Sequence, residues 1–222
     1  MTDAKPTIAI LGGTGDLGTG LGRRWARAGY PVVIGSRGAD KAAASAKAMN
    51  EALGRADVRG LANPDAAREA EVVVLTVPFE SQAATIESVR EHCRGKLFVD
   101  ATVPLMPPKV GTVQLPEEGC AAVRAQKLLG EEVTVVSAFQ NVAAAKLQSD
   151  EDLDCDVLVA GDKVAARDVV ISLVEAAGLR GWHAGPLANS AAAEALTSVI
   201  IQINRRYKID GAGIRITGKP GV

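Results

Sequence analysis

The 222-residue sequence is poor in the residue types on which much catalytic and structural chemistry depends. Its three cysteines, Cys93, Cys120 and Cys155, are scattered and form no CxxC pair. That excludes a disulfide framework and a zinc site, and fits a reduced cytoplasm. Its two histidines, His92 and His183, lie in "VREHCRGK" and "RGWHAG" with no triad or metal spacing around them, so both read as structural and no metal is expected. No YxxxK pair is present, and the chain lacks room for the long helical substrate domain of hydroxyacid dehydrogenases. Charge of one sign is also missing. The 25 Lys and Arg against 26 Asp and Glu leave a net charge of -1, which argues against a nucleic-acid footprint or a polybasic membrane contact. No run approaches the ~18 apolar residues of a membrane span, and "MTDAKPTIAIL" has no signal-like region. The reading is of an unexported, soluble, cytoplasmic protein.

What the sequence does have is alternation. Short β-branched runs recur between Ala-rich helical segments, the pattern of βαβ units. Strands are expected at Thr7–Leu11, Pro31–Ser36, Asp57–Leu61, Glu71–Pro78, Lys96–Ala101 and Glu132–Phe139, then at Asp156–Gly161 and near "LRGWHAG". Continuous runs such as Val72-Val73-Val74-Leu75 predict strands buried on both faces. Asn63 is placed as the N-cap of a helix with Pro64 at its first position. In the last helix, behind Asn189-Ser190, Leu196, Val199, Ile200 and Ile203 form one apolar stripe and predict a core helix. Gly213–Thr217 alternates like an edge strand. The expected class is α/β: a doubly wound parallel sheet over residues 1–141, the Rossmann dinucleotide-binding arrangement, with a smaller C-terminal α/β domain over 142–222.

The stretch "ILGGTGDLGTGLG" joins the first strand to the first helix and contains Gly13, Gly15 and Gly18 in GxGxxG spacing. In that context Gly13 makes the tight turn, Gly15 lets a pyrophosphate approach the backbone, and Gly18 lets the helix lie against the strand. The amides at the helix start would bind the anion. An NAD site would place Asp or Glu about 20 residues further on. Here Ser36, Arg37 and Lys41 stand at the end of the second strand, a hydroxyl and two cations that suit a 2′-phosphate and favour NADP(H). Pro78 and Pro104 lie at the carboxyl ends of central strands, where ligands bind in such sheets, and Thr76, Val77 and Val103 would pack around a nicotinamide. None of these is an acid or base. Hydride could still pass between two bound cofactors, with the protein only stacking the rings.

The segments "AILGGTGDLGTGL", "VVIGSRGADKA", "VVVLTVPFE", "VVSAF" and "HAGPLANSAAAEAL" resemble, in order and spacing, the NADPH-dependent coenzyme F420 reductases (F420:NADP oxidoreductases) over nearly the whole chain. The resemblance implies direct, reversible hydride transfer between NADP(H) and the 5-deazaflavin F420, with no catalytic side chain and a homodimeric protein. It implies that Thr14, Gly15, Asp16 and Leu17 hold pyrophosphate, that Ser36, Arg37 and Lys41 hold the 2′-phosphate, and that Val77, Pro78, Val103, Pro104 and Ala144 line the nicotinamide. Gln140, Asn141, Val142 and Ala143 fall at the acceptor. The chain departs from the pattern of some archaeal members at Asp16, where they carry Asn, and at "FQNVAA", where they read like LHTIPA. Two other readings stay open at this point. One is an NADPH-dependent reductase of a flavin or other small acceptor, motivated by Gln140 and Asn141. The other is a non-enzymatic NADP(H) sensor, motivated by the missing acid and base.

Overall fold

The computed structural model describes residues 5–149 and 153–218. Eight strands form one sheet in the order β3-β2-β1-β4-β5-β6-β7-β8. The first six, β1 (Ile8–Leu11), β2 (Val32–Ser36), β3 (Arg59–Ala62), β4 (Val72–Leu75), β5 (Leu97–Asp100) and β6 (Thr134–Ser137), pair in parallel. β7 (Asp156–Gly161) runs antiparallel to β6, and β8 (Arg180–His183) runs parallel to β7. The chain passes from residue 141 to 142 between β6 and β7, and the hydrogen-bonded sheet continues across that point through Val136 opposite Gly161.

Strand alternation divides the core into two layers. Ile8 and Ile10 point into one with Leu21, Trp25 and Ile34, while Ala9 and Leu11 point into the other with Val33, Val73 and Phe98. Every residue of β1, β2 and β4 is buried, as the continuous apolar runs predict for a sheet covered on both faces. Helix α1 (Asp16–Arg27) crosses from β1 to β2, followed in the chain by α2 (Ala39–Leu53), α3 (Asn63–Glu69), α4 (Phe79–Val89), α5 (Ala121–Leu129), α6 (Val164–Ala176) and α7 (Ser190–Tyr207). Trp25 ties the first half to the second: its Nε1 donates to Leu173 O at 2.8 Å, and its ring meets Phe139 edge-on with centroids 5.9 Å apart.

Three local expectations are corrected. Gly213–Thr217 is no strand, because the carboxylate of Asp156 takes the Ile216 amide at 2.6 Å, where a ladder would need a backbone carbonyl. Of the apolar stripe on α7 only Ile200 is buried, whereas Val199 is 44% and Ile203 38% exposed. This helix docks through Ser190, Ala193, Glu194 and Ser198 instead, small or polar residues that suit close approach and hydrogen bonding. Asn63 is the first residue of α3 and not its N-cap; that place falls to Ala62, and no side chain caps the helix.

Candidate functional site

The carboxyl ends of β1, β2 and β4 open onto a cleft of about 410 Å³. Its walls gather residues widely separated in the chain: Gly12, Thr14 and Gly15 from the first turn, Ser36, Arg37 and Lys41 from the second strand and helix, and Thr76, Val77 and Pro78 from the fourth strand's end. This is the crevice that parallel sheets offer where the strand order reverses, here between β1 and β4. A larger cavity of about 490 Å³ lies at the other end of β6, beside Gly130 and Thr134, and includes none of these residues.

Each glycine of the turn has a separate physical reason. The left-handed conformation falls on Gly12, at φ +73°, one residue earlier than the tight turn assigned to Gly13. A Cβ on Gly13 would stand 2.6 Å from the carbonyl oxygen of Ile10, and one on Gly18 would stand 2.6 Å from Gly13 Cα. Both are needed for the chain to pack. Gly15 is different: a Cβ there would meet only Gly12 O, at an ordinary 3.6 Å. The protein leaves that space open, and it is the space a pyrophosphate would fill at the start of α1. No side chain caps α1 among the described residues, so its positive end faces the cleft without an internal acceptor. Asp16 is exposed at the first position of that helix, and its backbone carbonyl is held by Gln148 Nε2 at 2.7 Å. Leu17 is half-buried and packs on the core.

Ser36 ends β2 as a buried residue at 7% exposure, whereas Arg37 and Lys41 are exposed beside it. No carboxylate among the described residues pairs with either cation, so two positive charges are available to an anion. Of the residues expected at a nicotinamide, Val77 and Pro78 line the cleft, while Val103 and Pro104 follow β5 and stand outside its lining. Ala144 begins a short helical turn over Ala144–Gln148. Val142 and Ala143 line a second cavity, of about 360 Å³, with Lys146, Cys155 and the segment 209–213.

Gln140 and Asn141 are turned inward. Gln140 Nε2 donates to Asp100 O at 2.8 Å, and Asn141 Nδ2 donates to Ala193 O at 2.8 Å and to Thr197 Oγ1 at 3.0 Å. These amides brace the β6 end against β5 and α7. The turn is carried by Phe139, a non-glycine residue at φ 74°.

Beneath it lies a buried acidic network that sequence reading missed. Asp100 is fully buried; it accepts from Thr102 N at 2.8 Å and Gln82 Nε2 at 2.7 Å. Glu194, 1% exposed, accepts from the α5 amides of Ala121 at 2.6 Å and Ala122 at 3.2 Å, and from Ser190 Oγ at 2.8 Å. Burial pushes the Asp100 carboxyl up and the Glu194 carboxyl up to about 7, outweighing the hydrogen bonds that hold both down. The only signal in the sequence was an acid closing an apolar strand and another inside an Ala-rich helix. The consequence is measurable. The unfolded chain releases the Glu194 proton near its ordinary 4.5, while the native state holds it to about 7, so stability falls as pH rises through that window. The loss is on the order of 3 kcal/mol for this group. Urea midpoints should fall from pH 5 to 8, and Glu194→Gln, which cannot ionise, should reduce that slope, leaving the part that Asp100 contributes with the same sign; an unchanged slope would rule Glu194 out as a source.

His92 and His183 line neither cleft. His92 is half-buried next to Arg68, and His183 sits exposed on β8, with Nε2 3.2 Å from Asp168. Among the described residues no cluster of His, Cys, Asp or Glu could hold a metal.

Comparison with known proteins shows the family. Residues 7–104 match the family model described as NADP oxidoreductase coenzyme F420-dependent. The F420-dependent NADP reductase of Methanothermobacter thermautotrophicus is 45% identical over 221 residues, covering 96% of this chain and 95% of that one. The protein of the same name from Methanocaldococcus jannaschii is 43% identical, covering 95% and 97%. Among solved structures, a putative F420-dependent NADP-reductase from Arthrobacter superposes with a TM-score of 0.80 at 26% identity, covering 96% of this chain and all of that one. With this identity spread over the whole length, the chain belongs to the F420-dependent NADP reductase family.

Proposed function

We propose that this protein is an oxidoreductase that transfers a hydride reversibly between NADP(H) and coenzyme F420. The observation that carries the reading is the cleft itself: an open place at Gly15 for a pyrophosphate, and beside Ser36 two cations that no carboxylate among the described residues pairs, for a 2′-phosphate. When bound, the nicotinamide and the deazaflavin supply the redox chemistry. The chain's own part is to position them. Thr14, Gly15 and the amides opening α1 hold the pyrophosphate, with Asp16 directed to solvent and Leu17 and Gly18 seating the helix. Ser36, Arg37 and Lys41 hold the 2′-phosphate. Thr76, Val77 and Pro78 exclude water along the nicotinamide where it lies in the cleft, and Val103, Pro104 and Ala144 are assigned to its far end, beyond the cleft's lining. Positioning at near-attack distance can supply roughly 7–11 kcal/mol of a barrier, which suits a nicotinamide whose named neighbours include no acid or base.

The acceptor, on this reading, sits against Val142 and Ala143, with Gln140 and Asn141 fixing that segment from behind, and residues 142–222 form the smaller unit closing over it. Ala143→Phe should raise the KM for F420 by about tenfold or more through overpacking of roughly 1–3 kcal/mol, with the Kd for NADPH within about twofold of wild type. Anaerobic mixing of the variant and the wild type with NADPH and F420 checks this, and equal effects on both cofactors would place the acceptor elsewhere. A free flavin reduced faster than F420 in the same experiment would reassign the acceptor.

The same reading makes the protein a cytoplasmic homodimer. What supports it is that no helix among the described residues is long and apolar enough to cross a membrane, and that α7 leaves Val199, Ile203 and Tyr207 exposed.

A further inference from the structure

One short segment joins the two cofactor sites. Val142 and Ala143 line the cavity assigned to the acceptor, and the helical turn over Ala144–Gln148 starts directly behind them, with Lys146 N donating to Ala143 O at 3.0 Å. The far end of that turn is fastened to the first turn of α1, where the pyrophosphate is placed. Gln148 Nε2 donates to Asp16 O at 2.7 Å and to Thr19 Oγ1 at 2.9 Å, and Thr19 Oγ1 donates in turn to Gly15 O at 3.0 Å. Two hydrogen bonds therefore lead from the end of the acceptor segment to the glycine whose open space receives the pyrophosphate. The helix does not depend on them, since Gly15 O already accepts from Thr19 N at 2.8 Å.

Packing makes this junction close. Leu147 is fully buried, and a Cβ on Gly20 of α1 would stand 2.5 Å from Leu147 Cβ, so there is no room between helix and turn for one more methyl. One turn further along α1, Arg24 donates from Nε to Leu147 O at 3.1 Å and from Nη2 to Ser149 O at 2.7 Å, while its Nη1 reaches Ala177 O, just past the end of α6, at 2.8 Å. A hydride crosses only when the reacting carbons come to near-attack distance, and a misplacement of about 1 Å can cost about 100-fold in rate. The first turn of α1 governs where the nicotinamide lies and Ala143 where the acceptor lies, so the fastening of one to the other governs the gap. We propose that Gln148 is a positioning residue for the hydride transfer: with Arg24 and the close contact at Gly20, it fixes the acceptor segment to the first turn of α1 and so sets the separation of the two rings. This inference rests on the reading of the two cavities as NADP(H) and F420 sites.

The test is anaerobic single-turnover transfer from NADPH to F420 in the full chain with both at saturation, alongside the Kd of each cofactor and the unfolding midpoint. Gln148 is exposed, so Gln148→Met, which keeps the length and loses both donated bonds, should keep the midpoint. Its transfer rate should fall about tenfold, with both dissociation constants within about twofold of wild type. The primary deuterium isotope effect should be at least as large as the wild type's, because the slowed step is the transfer itself. Gly20→Ala, at a residue that lines neither cavity, pushes the turn off α1 and should slow the transfer likewise. Two results would overturn the assignment while leaving the hydride-transfer reading in place: a Gln148→Met protein that transfers at the wild-type rate, whether or not its midpoint falls, or one that loses affinity for a single cofactor and transfers normally once saturated. A wild type that passes no hydride between NADPH and F420 would overturn that reading, and the assignment of Gln148 with it.

Discussion

Arg37→Ala should weaken NADPH binding by about 1.5–3 kcal/mol, roughly 10- to 150-fold, and leave NADH binding nearly unchanged. Arg37 is exposed beside the cleft and no carboxylate among the described residues pairs with it, so its removal leaves no buried group unpaired and should not move the unfolding midpoint. On the proposed placement, what it removes is a charge-assisted bond to the 2′-phosphate, a group that NADH lacks. Lys41, one helical turn on, keeps part of the attraction, which is why the loss is bounded. Titration of both cofactors by fluorescence or calorimetry decides the matter. An equal loss for the two would mean that Arg37 stacks on the adenine or holds pyrophosphate, and that the 2′-phosphate sits elsewhere.

The second large effect is expected at Gly15. Its backbone is extended, at φ -84° and ψ 169°, which any residue can adopt, and a Cβ there meets only Gly12 O at 3.6 Å. Gly15→Val should therefore fold with a normal midpoint. Its side chain then occupies the approach of the pyrophosphate to the α1 amides, and binding of NADPH and NADH alike should fall by about 100-fold or more, roughly 3 kcal/mol. Gly13→Val and Gly18→Val are the contrast. There the new atoms would press on Ile10 O and on Gly13 Cα, both at 2.6 Å, so the loss should appear in stability. A folded Gly15→Val that binds NADPH normally would contradict the placement of the pyrophosphate.

These contrasts show which parts of the structure were legible in the sequence. Runs such as Val72–Leu75 announce strands buried on both faces, because no polar residue interrupts them, and the observed sheet covers them on both sides. The glycine turn and the Ser36, Arg37, Lys41 group are local in sequence, each within a few residues of a strand end, and the structure gathers them in one cleft. Non-local features escaped. The period of Leu196, Val199, Ile200 and Ile203 tells which face of α7 is apolar but not whether another element covers it, and Val199 and Ile203 are left exposed. Alternation over Gly213–Thr217 cannot reveal that a side-chain carboxylate of Asp156 will take the Ile216 amide. The network of Gln82, Asp100, Ala121, Ser137, Ser190 and Glu194 draws on five separate segments, so no window of sequence contains it. Asn63 reads as a helix cap because Asn before Pro usually is one, whereas its amide is directed into the fold beside Gly35.

The central claim is that hydride passes directly from one ring to the other with no protein group as carrier, and one isotope experiment tests it most directly. NADPH carrying deuterium at the transferred position of the nicotinamide is mixed anaerobically with the protein and F420, and the products are read by mass spectrometry and NMR after a single turnover. Direct transfer places the deuterium on carbon 5 of the deazaflavin, which does not exchange its hydrogen readily, with none lost to water. Deuterium recovered in the solvent with unlabelled reduced F420 would contradict the account and require a protein acid, base or intermediate carrier in the transfer.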